Sequence, residues 1–347
     1  MKGHWAATVL WLLIPALQPI HADGPSPAVD PAARLPEGDS AREYWDVVAL
    51  LESGHRFYAR FLITNEGPGE RSAVAMGDLV EPDGTAIPFQ NGRRSGRWTL
   101  GAAGRSLRIG SSQLDLSGAA PRIEIDNDKR AFEVRLDFEA DESSARIFDA
   151  DGYHMDLLNL ASAVSGHVQH AGMPQPLAVA GRATLSHGWI SRPEQKVVAA
   201  RFDVASLSEG PAAFLAFWLS PTSPTRAWLG VREPDGSTRG FPAKRTQLDF
   251  PRGDRSDYPL PMRLDFSGDG ARAVASLRGA PLARNPLDPL PMAIRMLYSF
   301  GAKPRRLWAD TTLWVEVESG EGAEPLPWEA AGIATLNFQS AHPVPDS

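Results

Sequence analysis

Apolar residues recur at alternate positions along this chain in short runs, and turn residues separate the runs. The run Phe132-Glu133-Val134-Arg135-Leu136-Asp137-Phe138 alternates strictly, apolar on one face and charged on the other. That is the pattern of an antiparallel strand with one face buried. Similar runs at 44–51, 55–63, 74–80, 96–100, 106–110, 113–116 and 123–125 predict further strands. Glu52-Ser53-Gly54 and Pro82-Asp83-Gly84 sit where tight turns are needed. No segment before residue 155 carries a helical period, so the first half reads as all-β, with turns roughly every 8–12 residues.

The second half repeats the style, with strands predicted at 197–204, 213–219, 227–231, 262–266, 273–277, 312–317 and 332–338. Two Glu-Pro-Asp-Gly turns, beginning at Glu81 and Glu233, lie 152 positions apart, with Phe89 and Phe241 at equal distances behind them. A strand containing Trp45 precedes the first turn, and one containing Trp189 the second. The repeat predicts a duplicated barrel; chance recurrence of a common hairpin turn is the alternative. The expected architecture is all-β: two tandem antiparallel barrels over 41–176 and 177–340, with 141–178 as the changeover. A short helix is expected at 291–300, between Pro291 in the first turn and Gly301 at the stop.

Composition adds an address. A charged start, an apolar run of about 13 residues and Ala22 before Asp23 predict a cleavable signal at 1–22, too short for a bilayer span. The Pro- and Ala-rich segment 23–40 reads as a disordered or loosely laid-down leader. The chain has no cysteine, so neither a lipid anchor at the cut nor a disulfide can form. Periplasmic or secreted location follows as the expectation, with a monomer as the expected state. The net charge of −7 and the lack of a basic stripe argue against a nucleic-acid partner.

Candidate chemistry centres on residues 181–192. As a strand, this stretch places Ala183, Leu185, His187 and Trp189 on one face. An imidazole on an apolar face must either find a hydrogen-bond partner there or act on something that enters. Tyr153, His154 and Asp156 form a second group, although a strand would turn Tyr153 away from the other two. His167 and His170 have a spacing that suits a metal only on a helix, and the flanking Gly166 and Gly172 predict a hairpin instead, so no metal site is expected. Tryptophans on strands, Trp45 and Trp218 among them, and Phe217 beside them would either line a pocket for an apolar ligand or fill the barrel cores.

The pattern Gly181-x-Ala183-x-x-x-His187-x-Trp189 resembles the central motif of the AttH/carotenoid 1,2-hydratase (hydroxyneurosporene synthase-like) family, and the resemblance spans about Glu43 to Phe338. It implies two consecutive lipocalin-like barrels. It implies that His187 and Trp189 line a catalytic cavity where, with acidic and Tyr residues, they protonate an isolated double bond without metal or organic cofactor. It also implies a cell-envelope export system as a partner. Many members carry an acid directly before the His and close with Gly-Tyr-x-Glu-Leu; this chain has Ser186 and Gly332-Ile333-Ala334-Thr335-Leu336. The expected function is a secreted lipocalin-like protein that binds or processes an apolar, isoprenoid- or lipid-like molecule, with Trp45, Phe217, Trp218, Tyr153 and His154 as ligand contacts. The alternative is a hydratase or isomerase of a polyene.

Overall fold

The computed structural model describes residues 29–65, 71–127, 131–140, 143–207, 211–233, 236–251, 257–285, 304–318 and 326–339. The signal at 1–22 and the helix expected at 291–300 lie outside the described residues.

The first unit is a twelve-stranded antiparallel sheet. Its strands are β1 (Arg42–Leu51), β2 (Arg56–Thr64), β3 (Ser72–Val80), β4 (Ala86–Arg93), β5 (Trp98–Leu100), β6 (Ser106–Ile109), β7 (Ser112–Asp115), β8 (Arg122–Asn127), β9 (Phe132–Phe138), β10 (Ala145–Ala150), β11 (Tyr153–Gln169) and β12 (Leu177–Ile190). They run β4-β3-β2-β1-β12-β11-β9-β8-β7-β6-β5, with β10 on the flank of β11. The sheet curls into a nearly closed barrel. The Asn91 amide on β4 bridges its gap by donating to Ser112 Oγ (2.7 Å) and the Asp126 carbonyl (2.9 Å).

The second unit is a closed eight-stranded barrel. It comprises β13 (Ala200–Ser206), β14 (Ala213–Leu219), β15 (Arg226–Arg232), β16 (Thr238–Asp249), β17 (Arg263–Gly268), β18 (Ala271–Arg284), β19 (Arg305–Val317) and β20 (Leu326–Phe338), each paired with its neighbour in sequence. Closure of β20 on β13 leaves this barrel without a free edge.

Three expectations are corrected. First, β12 belongs to the first barrel, paired with β1 and β11, so the boundary lies near 191–199 and not at 176/177. Hydrophobic period locates a strand but not the strand it pairs with. Second, the hairpin expected around Gly166 and Gly172 is present as β11 and β12, but Gly166 and His167 lie within its first strand and not in its turn. A Cβ on Gly166 would stand 1.9 Å from the Arg135 carbonyl oxygen, so this glycine allows close strand approach and does not mark a turn. Third, from residue 29 the leader is laid against the first barrel: Val29, Ala33 and Leu35 pack on its core, and the Ala33 amide donates to the Gly104 carbonyl (2.9 Å).

The repeated turns join equivalent strands, β3 to β4 and β15 to β16, with Gly84 and Gly236 both at φ +89°. The equivalence of Trp45 and Trp189 does not hold. They sit on β1 and β12, adjacent strands of the same barrel. Each barrel has its own core, and a third apolar cluster lies in the seam between them. There Phe148 packs on Trp218 (ring centroids 4.6 Å apart) and Tyr58 meets Trp308 edge-on (5.7 Å).

Candidate active site

β12 carries two sets of residues on opposite faces, and they serve different places. Its inward face puts Leu185 in the first core and His187 and Trp189 close by. His187 is wholly buried and stacks on Trp45, with centroids 4.6 Å apart and planes within 6°. Its Nε2 lies 2.7 Å from Glu43 Oε1, while Nδ1 has no hydrogen-bond partner among the described residues. Glu43 also accepts the backbone amides of Arg34 and Leu35, each at 2.7 Å. The carboxylate therefore ties the leader to His187 across the sheet. Asp156, paired with His187 in register, is buried; burial pushes its carboxyl up, opposed by its ion pair with Arg146. His154 stacks on Trp189, centroids 5.1 Å apart.

The outward face of β12 presents Thr184 and Ser186 to the seam. There a small cavity is lined by Asp46, Val48, Tyr58, Arg201, Asp203, Phe214, Ile333 and Thr335, among others. Positions 186, 333 and 335 are those at which the resemblance anticipated an acid, a Tyr and a Glu. All three converge on this cavity, but its carboxyls come from elsewhere, from Asp46 on β1 and Asp203 on β13.

Those two acids are buried to similar extents and driven in opposite directions. Asp46 accepts from Tyr58 Oη (2.6 Å), from Arg60 Nε and Nη2 (both 2.6 Å), and from Arg201 Nη2 (2.7 Å). Burial alone would raise it, but Arg60, Arg201 and Arg306 together hold it well below the usual carboxylate range. Asp203 has one guanidinium: Arg201 Nε lies 2.7 Å from Oδ2, outside hydrogen-bond alignment. Burial wins there, assisted by repulsion from Asp46, and the carboxyl is pushed up to about 6. Its Oδ1 is buried without a hydrogen-bond partner among the described residues. Arg201 Nη1 also donates to Tyr44 Oη (2.8 Å), which is hydrogen-bonded to Tyr153 Oη. Two like groups separated in proton affinity by their surroundings are the usual basis of an acid–base pair.

The expected ligand contacts do not share one pocket. Trp45 lies in the first core and Phe217 in the second; Trp218 and Tyr153 pack in the seam; His154 faces Trp189. His167 and His170 each meet a different glutamate, Glu133 (2.8 Å) and Glu81 (3.2 Å). Sequence reasoning missed Asp46, Arg60, Arg201 and Asp203. The available signal was a charge inside an otherwise apolar strand, in Tyr44-Trp45-Asp46-Val47 and Phe202-Asp203-Val204.

No protein-family model matches the sequence, and no curated protein matches it either. Solved structures do match. A candidate AttH from Nitrosomonas europaea gives a TM-score of 0.60 at 16% identity, covering 90% of this chain and 99% of that one. Kievitone hydratase from Nectria haematococca gives 0.56 at 8%, covering 90% and 94%. CghA bound to Sch210972 gives 0.60 at 12%, covering 91% and 95%. This chain has the AttH fold. The likeness at these identities is one of architecture alone.

Proposed function

We propose that the seam is an acid–base site of the hydro-lyase kind, adding water to or removing it from a double bond in an apolar-bodied molecule, with Asp203 carrying the proton. The observation that carries the reading is Asp203 itself, a buried carboxyl pushed up to about 6, with its Oδ1 unbonded in the seam among the described residues. A general acid needs an available proton near working pH and a free path to deliver it. That kievitone hydratase shares the fold supports the reaction class.

Electrostatics selects the type of double bond. Protonating an isolated polyene would create a carbocation beside the guanidinium groups of Arg60 and Arg201, which repel it. The same groups favour negative charge. The double bond is therefore conjugated to a carbonyl, so that charge develops on oxygen as an enolate. Water adds at the β-carbon, the enolate's electron pair takes the Asp203 proton at the α-carbon, and the added water returns a proton to Asp203. The atoms balance as substrate plus water. His187 and Trp189, on the opposite face of β12, support that strand and do not touch the reacting atoms. The segment 1–22 and export through the cell envelope belong to the same reading as the route by which the protein leaves the cytoplasm.

The test begins with mass spectrometry of any small molecule that co-purifies with the protein. Unsaturated ketones of that skeleton are then incubated in deuterated water. Deuterium should enter at the α-carbon, the rate should fall as pH rises through about 6, and Asp203→Asn should abolish exchange while leaving the fold intact. Exchange that survives in Asp203→Asn refutes the assignment. A co-purified molecule recovered unchanged and bound equally well by Asp203→Asn would make the protein a carrier.

A further inference from the structure

One largely buried guanidinium in the seam makes no direct ion pair among the described residues, although Asp46 and Asp78 attract it from farther off. Arg306, on the outward face of β19, is 4% exposed. Its Nε donates to Asn337 Oδ1 (2.9 Å), and its guanidinium lies 3.7 Å over the Tyr58 ring. Among the described residues no carboxylate stands within ion-pair distance of it, and its Nη groups have no hydrogen-bond partner. The Nη groups are not among the fully buried unbonded atoms, so they keep access to solvent and can meet an incoming acceptor. Among the described residues three further donors nearby lack hydrogen-bond partners: Asn337 Nδ2, Trp308 Nε1 and Arg284 Nε, the last ion-paired with Asp78. Arg284 and Asn337 flank Arg306 in register on β18 and β20. The facing acid, Asp78 on β3, stands 3.6 Å from Arg284; burial pushes its carboxyl up, opposed by Arg306 and Arg284. Burial lowers the proton affinity of Arg306, with Arg60 adding repulsion and Tyr58, Asp46 and Asp78 opposing the shift. Tyr58 joins this corner to the reaction cavity: its ring lies under Arg306, and its hydroxyl donates to Asp46.

We propose that Arg306, with Arg284 and Asn337, receives the carboxylate end of the amphipathic molecule whose apolar body enters the seam. Guanidinium and carboxamide donors suit a carboxylate's two oxygens, and Tyr58 and Phe214, which line the seam cavity, offer walls for an apolar body. The proposal deepens the hydro-lyase reading by naming the substrate class, and it rests on that reading only in calling the bound acid a substrate.

Calorimetry on the full chain tests it with octanoate, 1-octanol and acetate. Octanoate should bind at least about tenfold tighter than octanol, since charge-assisted hydrogen bonds are the strong ones. Acetate should bind more weakly than octanoate. Arg306→Met should abolish the preference for octanoate. Asn337→Asp, which sets an internal carboxylate against Arg306, should weaken octanoate by a similar factor and should fold with wild-type stability or better. Octanoate binding no tighter than octanol, a preference that persists in both variants, or acetate binding as tightly as octanoate overturns the proposal. Octanoate should still bind Asp203→Asn. Carboxylate binding without turnover therefore defeats only the hydro-lyase reading, and turnover without a carboxylate preference defeats only the anion site.

Discussion

Asp46 holds the two barrels together through charge, and Asp46→Asn tests how much that is worth. Its carboxylate takes hydrogen bonds from Tyr58 and Arg60 of its own barrel and from Arg201 of the other, at 2.6–2.7 Å, with 3% of its side chain exposed. Asparagine keeps the shape but replaces one oxygen with a donor that faces a guanidinium. Arg60 is then left buried without its carboxylate, and Arg201 keeps only Asp203 as a counter-ion. Removing one partner of a buried ion pair costs about 3–5 kcal/mol. In a unit of this size that is a melting shift of roughly 6–20 °C. The assay is urea unfolding followed by tryptophan fluorescence, in which Trp218 and Trp308 report on the seam. The midpoint should fall at unchanged slope. The sign of the pH dependence is fixed as well. Asp46 is held below its ordinary value, so its contribution is present above the unfolded-state pKa of 3.8 and is lost only as pH falls through the lower folded value. The gap between wild type and variant should therefore persist from pH 8 down to about pH 4. A loss under about 1 kcal/mol would mean that water reaches the network, and would refute the picture of a dry charged seam.

Two further predictions follow from the same geometry. Asp203 is raised, so its contribution is fully present below 3.8 and is lost as pH rises through about 6, a change of up to about 3 kcal/mol. Asp203→Asn should accordingly gain stability relative to wild type between pH 5 and 7 in thermal melts, and a constant difference across that range would contradict a raised carboxyl. Glu43→Ala should free the amides of Arg34 and Leu35 and remove the His187 partner. Hydrogen exchange should then show both amides unprotected and the leader released, at a cost of about 1.5–3 kcal/mol for each charge-assisted bond; protection equal to wild type would mean that other contacts hold the leader.

The strands and their faces were legible in the chain itself. Alternation in residues 132–138 marked a sheet with one wet side, and β9 is such a strand, its apolar residues buried and its charged ones exposed or half-buried. The inward direction of His187 followed from period two alone, as did the separation of Tyr153 from His154 and Asp156. The Glu-Pro-Asp-Gly turns marked the third hairpin of each barrel because their geometry is local. Pairing was not legible. The strand with His187 lies in the middle of the first barrel's sheet, although it borders the second barrel in sequence, because its pairing with β1 joins residues far apart along the chain. Nor could composition bring Asp46, Arg60, Arg201, Asp203 and Arg306 into one seam. A charge within an apolar strand reads as an exception until the other barrel is laid over it. Only the docking of two sheets decides whether that charge meets water or a counter-ion, and the proton affinity of Asp203 and the surroundings of Arg306 depend on that docking.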